Sequence, residues 1–283
     1  MKPSETVVYN GGMWNTLKPK PMTWYLWRLN GGAVYLRKIP EKDGEKRGVW
    51  ETCFVSAPSW KKTDRYGGPE EGDAPRLPCS SVWGEGESAL LRPCLSAAPY
   101  LLKLRPGESV KIAPEGEARF TVSLPPLVRL ELDGLVLGEA MPLAPPKTWF
   151  GPDTMSGCFC HCLEGGLRPG EDAPEPEPSA FVRCGLRVRN RSKTVFALER
   201  FLLCPAPLAV YERGGILVSD SVDFEFFGPD ADGKTTVRPL DGAGNADCRL
   251  LSPGVKTGAG ELFARQSVAI IRFAVEPFGN VFS

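Results

Sequence analysis

The feature that most constrains this 283-residue chain is a hydrophobic period of two, interrupted by proline or glycine at nearly every junction. Apolar residues fill every second position in runs such as 120–124, 128–132 and 182–188. Since successive side chains of a strand point to opposite faces, this alternation is typical of half-buried antiparallel strands. Turn pairs such as Pro106-Gly107 and Asp133-Gly134 separate the runs. Short strands at this spacing predict a mainly β chain built as an antiparallel β-sandwich.

Shorter runs extend this prediction along the rest of the chain. Further strands are expected at residues 24–29, 33–39, 49–56, 110–112, 195–203, 208–211, 216–219, 222–226 and 235–240. Three stretches are predicted to be irregular. Residues 60–80 and 165–179 are rich in proline, glycine and acidic residues and are expected to be exposed loops, and 229–259 carries repeated Asp-Gly and Gly-Ala turns with only the short strand at 235–240. The best helix candidate is 261–275, which Pro277 and Gly279 would end, although its Val-Ala-Ile-Ile centre also fits a strand.

The length allows one large domain or two small ones. A single β-rich domain over 1–283 is the first expectation. The alternative is two packed β lobes, with an N-terminal lobe at 1–94 and a β-sandwich core at 95–283.

Charge and cysteine content restrict the function classes. Lysine plus arginine and aspartate plus glutamate both number 34, so the net charge is zero and a dedicated nucleic-acid binder is not expected. No run approaches 18 apolar residues, and the N-terminus lacks the apolar run of a signal peptide, so neither membrane insertion nor secretion is expected. Nine cysteines cannot all pair within one chain, which favours a reducing cytoplasm. Homo-oligomerisation stays open.

The densest group of reactive side chains is the run of three cysteines and the chain's one histidine at residues 158–162. Thiolates and imidazole are preferred ligands of zinc. An extended strand, however, places Cys158, Cys160 and Cys162 on one face and His161 on the other, and spreads the sulfurs too widely for one ion. Buried cysteines packing a sheet are therefore favoured, and no metal or cofactor is expected. A metalloprotein or hydrolase centred on this run is the alternative.

Two further groups are candidates for binding. Tryptophans crowd the first fifty residues, and Trp24 and Trp27 could stack on a sugar or anchor a partner, with core packing as the alternative. Arg183, Arg187 and Arg189 share one strand face and could receive an anion or an acidic partner, with a solvated sheet face as the alternative.

Several short motifs resemble a family catalogued as domain of unknown function 432. They are Lys147-Thr148-Trp149-Phe150-Gly151-Pro152 followed by Gly157-Cys158-Phe159-Cys160, the strand end Arg189-Asn190-Arg191-Ser192, and a hairpin from Leu208 to Val218. The similarity covers about residues 95–225 and rests on turn residues. It implies a compact β domain with no assigned activity, and it transfers no catalytic residue.

Taken together, the residues favour a non-catalytic intracellular binding or interaction module. No phosphate-binding glycine loop and no nucleophile elbow occurs in the sequence, and triad chemistry would depend on His161. Whether the chain is an enzyme is left open, with residues 158–162 as the place to look.

Overall fold

The computed structural model describes residues 12–29, 31–41, 47–56, 67–151, 157–170, 181–229, 231, 233–242 and 246–255. Within these ranges the chain is all β and most strand pairs are antiparallel, which confirms the predicted class. The predicted helix at 261–275 lies outside the described residues. No helix long and apolar enough to cross a membrane occurs in the described ranges.

The strands are numbered in chain order. They are β1 (Trp24–Leu29), β2 (Gly32–Pro40), β3 (Arg47–Ser56), β4 (Gly67–Gly72), β5 (Ser80–Glu85), β6 (Ala89–Cys94), β7 (Tyr100–Lys103), β8 (Val110–Ile112), β9 (Glu117–Leu124), β10 (Leu127–Leu132), β11 (Leu135–Ala140), β12 (Lys147–Phe150), β13 (Cys158–Leu163), β14 (Leu167–Pro169), β15 (Val182–Asn190), β16 (Phe196–Leu198), β17 (Arg200–Leu203), β18 (Val210–Arg213), β19 (Ile216–Ser219), β20 (Ser221–Phe226), β21 (Lys234–Arg238) and β22 (Cys248–Ser252).

The chain divides into two compact units, of which the first comprises Met1–Cys94 and Pro126–Leu143. It holds a five-stranded antiparallel sheet of order β4-β1-β2-β3-β5 and a three-stranded sheet of order β11-β10-β6. Its core contains large aromatic side chains: β1 is buried at every residue except Arg28, β2 buries every second residue in its middle, and Trp27 and Trp50 are fully buried.

The turn between β1 and β2 needs a glycine. Gly31 has a φ of +79°, a conformation that residues with a Cβ rarely adopt. A Cβ built there would also lie 2.6 Å from the Leu143 side chain. The antiparallel pairing of β1 with β2 confirms the predicted hairpin, and its register pairs Trp24 with Arg37 and Leu29 with Gly32.

The second unit comprises Leu95–Pro125 and Ala144–Ser283. Its eight-stranded sheet is organised around β15, which pairs with β9 antiparallel and with β20 parallel. A two-stranded sheet joins β8 to β16, and a four-stranded sheet has the order β12-β13-β7-β17. In this last sheet β13 runs parallel to β7. The four-stranded sheet contains the three cysteines and the histidine of residues 158–162.

A buried asparagine fixes the end of β15. Asn190 is fully buried, and its Nδ2 donates to Ile112 O at 2.9 Å and to Thr194 O at 2.7 Å. Its Oδ1 accepts from the Ser192 amide at 3.0 Å and from the Ser192 hydroxyl at 2.7 Å. The side chain thus ties the 191–194 turn to β8.

Three predicted irregular stretches contain strands. Residues 67–72 form β4, which pairs with β1, so the loop prediction for 60–80 is wrong there, and Ser80 already begins β5. The stretch 165–179 includes β14, and 229–259 includes β22. These short strands pair through backbone groups at sheet edges, and their side chains show little alternation. The expected strand at 195–203 is split into β16 and β17.

Candidate functional site

Strand β13 places the cysteines and the histidine as an extended segment between β12 and β7. The neighbours Cys160 and Phe159 differ sharply in burial, since Cys160 is 1% exposed and Phe159 is 70% exposed, whereas His161 is buried like Cys160. Because the strand is extended, Cys158, Cys160 and Cys162 occupy one side of it, and Phe159 and His161 the other. The expected separation of the sulfurs from the imidazole is present.

The cysteine side of β13 belongs to the core. Cys160 packs in a cluster with Leu101, Phe150 and Leu202, and Cys158 lies against it. Burial, together with the two neighbouring thiols, raises the pKa of Cys160 to about 11. The thiol therefore stays protonated at neutral pH, whereas both nucleophilic attack and metal binding need the thiolate.

Cys162 lies at the edge of this cluster, beside two charged side chains. Its Sγ is 3.5 Å from Glu164 Oε1, and the same carboxylate receives Lys103 Nζ at 2.6 Å. Burial raises the pKa of Cys162, and the hydrogen bond to Glu164 acts in the same direction, although Lys103 opposes both. The ammonium group is committed to the carboxylate, so this trio does not activate the thiol.

His161 is buried on the opposite side of the strand. Its ring lies 5.3 Å from the ring of Tyr100, and its Nδ1 is 3.5 Å from Pro145 O. The backbone of the strand separates the imidazole from the three sulfurs, so residues 158–162 form no cysteine–histidine pair. Among the residues that the structure describes, no three His, Cys, Asp or Glu side chains are grouped closely enough to hold a metal ion.

The exposed feature of this sheet is an aromatic pair that sequence reasoning did not single out for binding. Trp149 on β12 is directly opposite Phe159 on β13. The two ring centroids are 5.1 Å apart and the ring planes are inclined by 80°. Trp149 is 38% exposed. We call Trp149 and Phe159 the aromatic corner.

Gly157 makes room for the aromatic corner. A Cβ built on Gly157 would lie 2.5 Å from two indole carbons of Trp149 and 2.7 Å from Phe150 O. The indole therefore lies against bare backbone on one side and against Phe159 on the other. Gly157, Trp149 and Phe159 all belong to the sequence motif at residues 147–160 that carries the family resemblance.

The structure places the two tryptophans proposed for binding in the core of the first unit. Trp27 is 0% exposed and Trp24 is 9% exposed. They lie on opposite faces of β1, because they are three positions apart on a regular strand in which Trp24 pairs with Arg37 and Trp27 with Val34. Arg37 covers the Trp24 ring at 4.7 Å. Neither indole presents a face to a ligand, and packing accounts for both.

We call Arg183, Arg187 and Arg189 of β15 the arginine stripe. Arg187 and Arg189 face carboxylates of the neighbouring strands. Arg187 pairs with Asp223 through both ends of its guanidinium group, with Nε 3.1 Å from Oδ1. Arg189 Nε is 3.2 Å from Glu117 Oε2, and its Nη1 is 4.0 Å from Glu225 Oε1. The hydrogen bond from Arg189 lowers the pKa of Glu117.

These ion pairs leave little positive charge for an external anion. An incoming phosphate or carboxylate would have to displace Asp223, Glu117 or Glu225 from its arginine. Arg183, the third member, is half-buried and lies opposite Ser123 of β9. The stripe is thus a cross-strand ladder that stabilises the sheet.

A groove of about 600 Å³ lies elsewhere in the second unit, beside the β18–β19 turn. Arg213, Asp241, Asp247 and Cys248 contribute to its walls. The Arg213 guanidinium donates to Asp241 O, so its charge is partly committed within the wall. No group of catalytic residues accompanies the groove among its described walls.

The family model described as Protein of unknown function (DUF432) matches residues 66–246, which is more than half of the chain. The chain belongs to this family. The resemblance seen in the sequence is therefore confirmed, and the DUF432 match includes both the aromatic corner and Asn190. No curated protein and no solved structure matches the chain.

Proposed function

We propose that this chain is a non-catalytic binding module and that the aromatic corner is its contact surface. The observation that carries the proposal is the exposure of two large aromatic rings, side by side, above a strand whose other face is packed in the core. Aromatic side chains supply much of the binding energy in protein interfaces when they enter a partner's pocket or receive its side chains.

The angle between the rings favours one class of partner. Sugars and nucleobases stack on a flat face, whereas ring planes inclined by 80° form a corner with one face and one edge. A compact apolar side chain, such as proline or leucine, contacts both rings of a corner at once. The expected ligand is therefore a protein segment that presents such a side chain.

The aromatic corner is also held in position before binding. Gly157 and Phe159 contact the indole from two sides, and the next residues along both strands, Phe150 and Cys160, are anchored in the core cluster. A surface that is already ordered loses little conformational entropy when it binds.

The proposal extends to the fold, the cellular location and the class of partner. The first unit is a two-layer sandwich, as supported by Gly138 of β11, where a Cβ would lie 2.6 Å from the Phe54 ring of β3. The protein works in the cytoplasm and takes no nucleic acid as partner. In support, all nine cysteines are free thiols, the net charge is zero, and Arg187 and Arg189 of the arginine stripe are ion-paired.

The test is a selection of random peptides displayed on phage against the full chain, followed by calorimetry with the enriched peptides. We expect apolar peptides to be enriched, and Phe159→Ser to weaken their binding by about tenfold or more. Phe227→Ser is the matched control because Phe227 is also an exposed phenylalanine of the second unit, 44% exposed. It should bind as the wild type does.

Three results would contradict the proposal. They are the absence of any enriched peptide, equal binding by the Phe159→Ser variant and the wild type, and binding of oligosaccharides instead of peptides on a glycan array. The alternative of a metalloprotein centred on residues 158–162 is tested separately by native mass spectrometry. One stoichiometric zinc or iron that is lost in the Cys160→Ala variant would establish it.

A further inference from the structure

In the first unit, the pairing of β3 with β5, continued by one residue, brings two cysteines opposite each other. The β3–β5 register pairs Trp50 with Val82 and Thr52 with Ser80. Advancing that register by one residue places Cys53 opposite Cys79, which immediately precedes β5. In the structure both sulfurs are free thiols.

The hydrogen-bond pattern shows which type of antiparallel pair this is. Beyond the end of the β2–β3 ladder, the Glu41 amide donates to Arg47 O at 3.3 Å. The odd-numbered residues of β3 therefore direct their backbone groups toward β2, and they form non-hydrogen-bonded pairs with β5. Such pairs bring the two Cα atoms to about 4.5 Å. A disulfide spans Cα distances of about 4.4–6.8 Å, so the register places Cys53 and Cys79 within the range that a disulfide needs.

The two thiols are neighbours that differ in access. Burial raises the pKa of Cys53, and the charge and hydrogen bond of the neighbouring Cys79 thiol raise it further. Cys53 is 4% exposed, whereas Cys79 is half-buried and borders the exposed Leu77. The Cys79 thiol can thus meet a reagent from solution while Cys53 waits beneath it.

We propose that Cys53 and Cys79 are a redox modification site that forms a reversible disulfide by exchange with a low-molecular-weight disulfide such as oxidised glutathione. The Cys79 thiolate attacks one sulfur of the small disulfide, whose S–S bond breaks, and one small thiolate leaves. Cys53 then gives up its proton, and its sulfur attacks the Cys79 sulfur and expels the second small thiolate. The two protein protons pass to the two departing thiolates. Two protein thiols are oxidised and one small disulfide is reduced to two thiols.

The topology indicates what the bond would hold. After β3 the chain crosses to the far edge of the five-stranded sheet, where it forms β4, and then returns to form β5 at the near edge. Cys53 lies near the end of β3, and Cys79 lies just before the start of β5. A bond between them would join the two ends of this excursion. The disulfide would therefore close this excursion into a loop and fasten the edge strand β5 to β3.

The experiment exposes the full chain to oxidised glutathione, alkylates the remaining thiols and maps the peptides by mass spectrometry. We expect a linked pair of peptides that contain Cys53 and Cys79, the loss of two hydrogen atoms in the intact mass, and reversal by dithiothreitol. Seven of the nine thiols (9 − 2) should remain alkylatable. The oxidised chain should also melt several degrees above the reduced chain.

Single variants test the order of the steps. Cys53→Ser retains the attacking thiol and should accumulate a glutathione adduct on Cys79, whereas Cys79→Ser should show neither adduct nor bridge. Cys94→Ser, a buried cysteine of the same unit, is the control and should still form the bridge. The proposal is overturned if both thiols of the wild type remain alkylatable while other cysteines react, or if mapping links a different pair. Because the mapping uses the wild type, it does not depend on the folding of any variant.

Discussion

Replacement of Asn190 by alanine is expected to lower the free energy of unfolding of the second unit by about 3–4 kcal/mol. The side chain makes four hydrogen bonds of 2.7–3.0 Å in a fully buried position. Each neutral hydrogen bond contributes about 1 kcal/mol net, so the four together give about 4 kcal/mol. Part is recovered because the Ser192 hydroxyl, 3.0 Å from Thr194 O, keeps a partner when the amide is gone.

Asn190→Asp extends the test with almost no change in shape. The carboxylate would face the carbonyl oxygens of Ile112 and Thr194, to which Nδ2 donates in the wild type. Burial beside two acceptors favours the protonated acid, so the folded-state pKa of this aspartate would lie above its unfolded value. The variant should therefore be most stable at low pH and lose stability as the pH rises through the folded pKa.

The assay is urea unfolding followed by circular dichroism, with hydrogen-exchange mass spectrometry to locate the change. Amides of β8 and β15 should exchange faster in Asn190→Ala, and those of the first unit should not change. Lys193→Ala, at an exposed position of the same turn, should stay within about 0.5 kcal/mol of the wild type. A loss below about 1 kcal/mol for Asn190→Ala would refute the reasoning from hydrogen bonds.

Three further predictions concern packing and charge. Cys160→Ala should cost about 1 kcal/mol in urea unfolding, since it removes a buried sulfur from a core cluster, and a chelator should leave the melting temperature of the wild type unchanged. Asp223→Asn should cost about 1–2 kcal/mol, because the half-buried Arg187 guanidinium loses its charged partner, and added salt should shrink the difference. Asp133, whose pKa is lowered chiefly by the Ser88 hydroxyl, stabilises the fold while ionised. Its contribution should therefore disappear as the pH falls below its usual pKa. In the Asp133→Asn variant, the free energy of unfolding should depend less steeply on pH in this acid range.

Strands whose one face is buried could be predicted from the sequence, because alternation and flanking turns define them. Residues 24–29 and 216–219 were predicted with the observed bounds of β1 and β19. Strand β4 could not be found in this way. Its sequence, Gly-Gly-Pro-Glu-Glu-Gly, has no apolar alternation, and it is a strand because the edge of β1 offers backbone hydrogen bonds. That edge is a tertiary feature that local sequence does not report.

The candidate site was predicted only in part, for a related reason. A period of two tells which side chains share a face, and it correctly separated Cys160 from Phe159. It does not tell whether the rest of the protein covers that face. Trp27 and Phe159 are both aromatic residues of alternating strands, yet Trp27 is buried and Phe159 is exposed. Likewise, the carboxylate partner of Arg187 comes from Asp223, 36 residues away along the chain.

The order in which the two units receive their residues has a consequence for biosynthesis. The hairpin of β10 and β11 lies between stretches of the second unit in the chain but pairs with β6 of the first. The first unit therefore stays incomplete until residue 143 has been synthesised, after β7, β8 and β9 of the second unit. A fragment ending at residue 94 would leave β6 without the strand that pairs with it, and a bare strand edge of this kind promotes aggregation. Neither unit can be obtained by cutting the chain once.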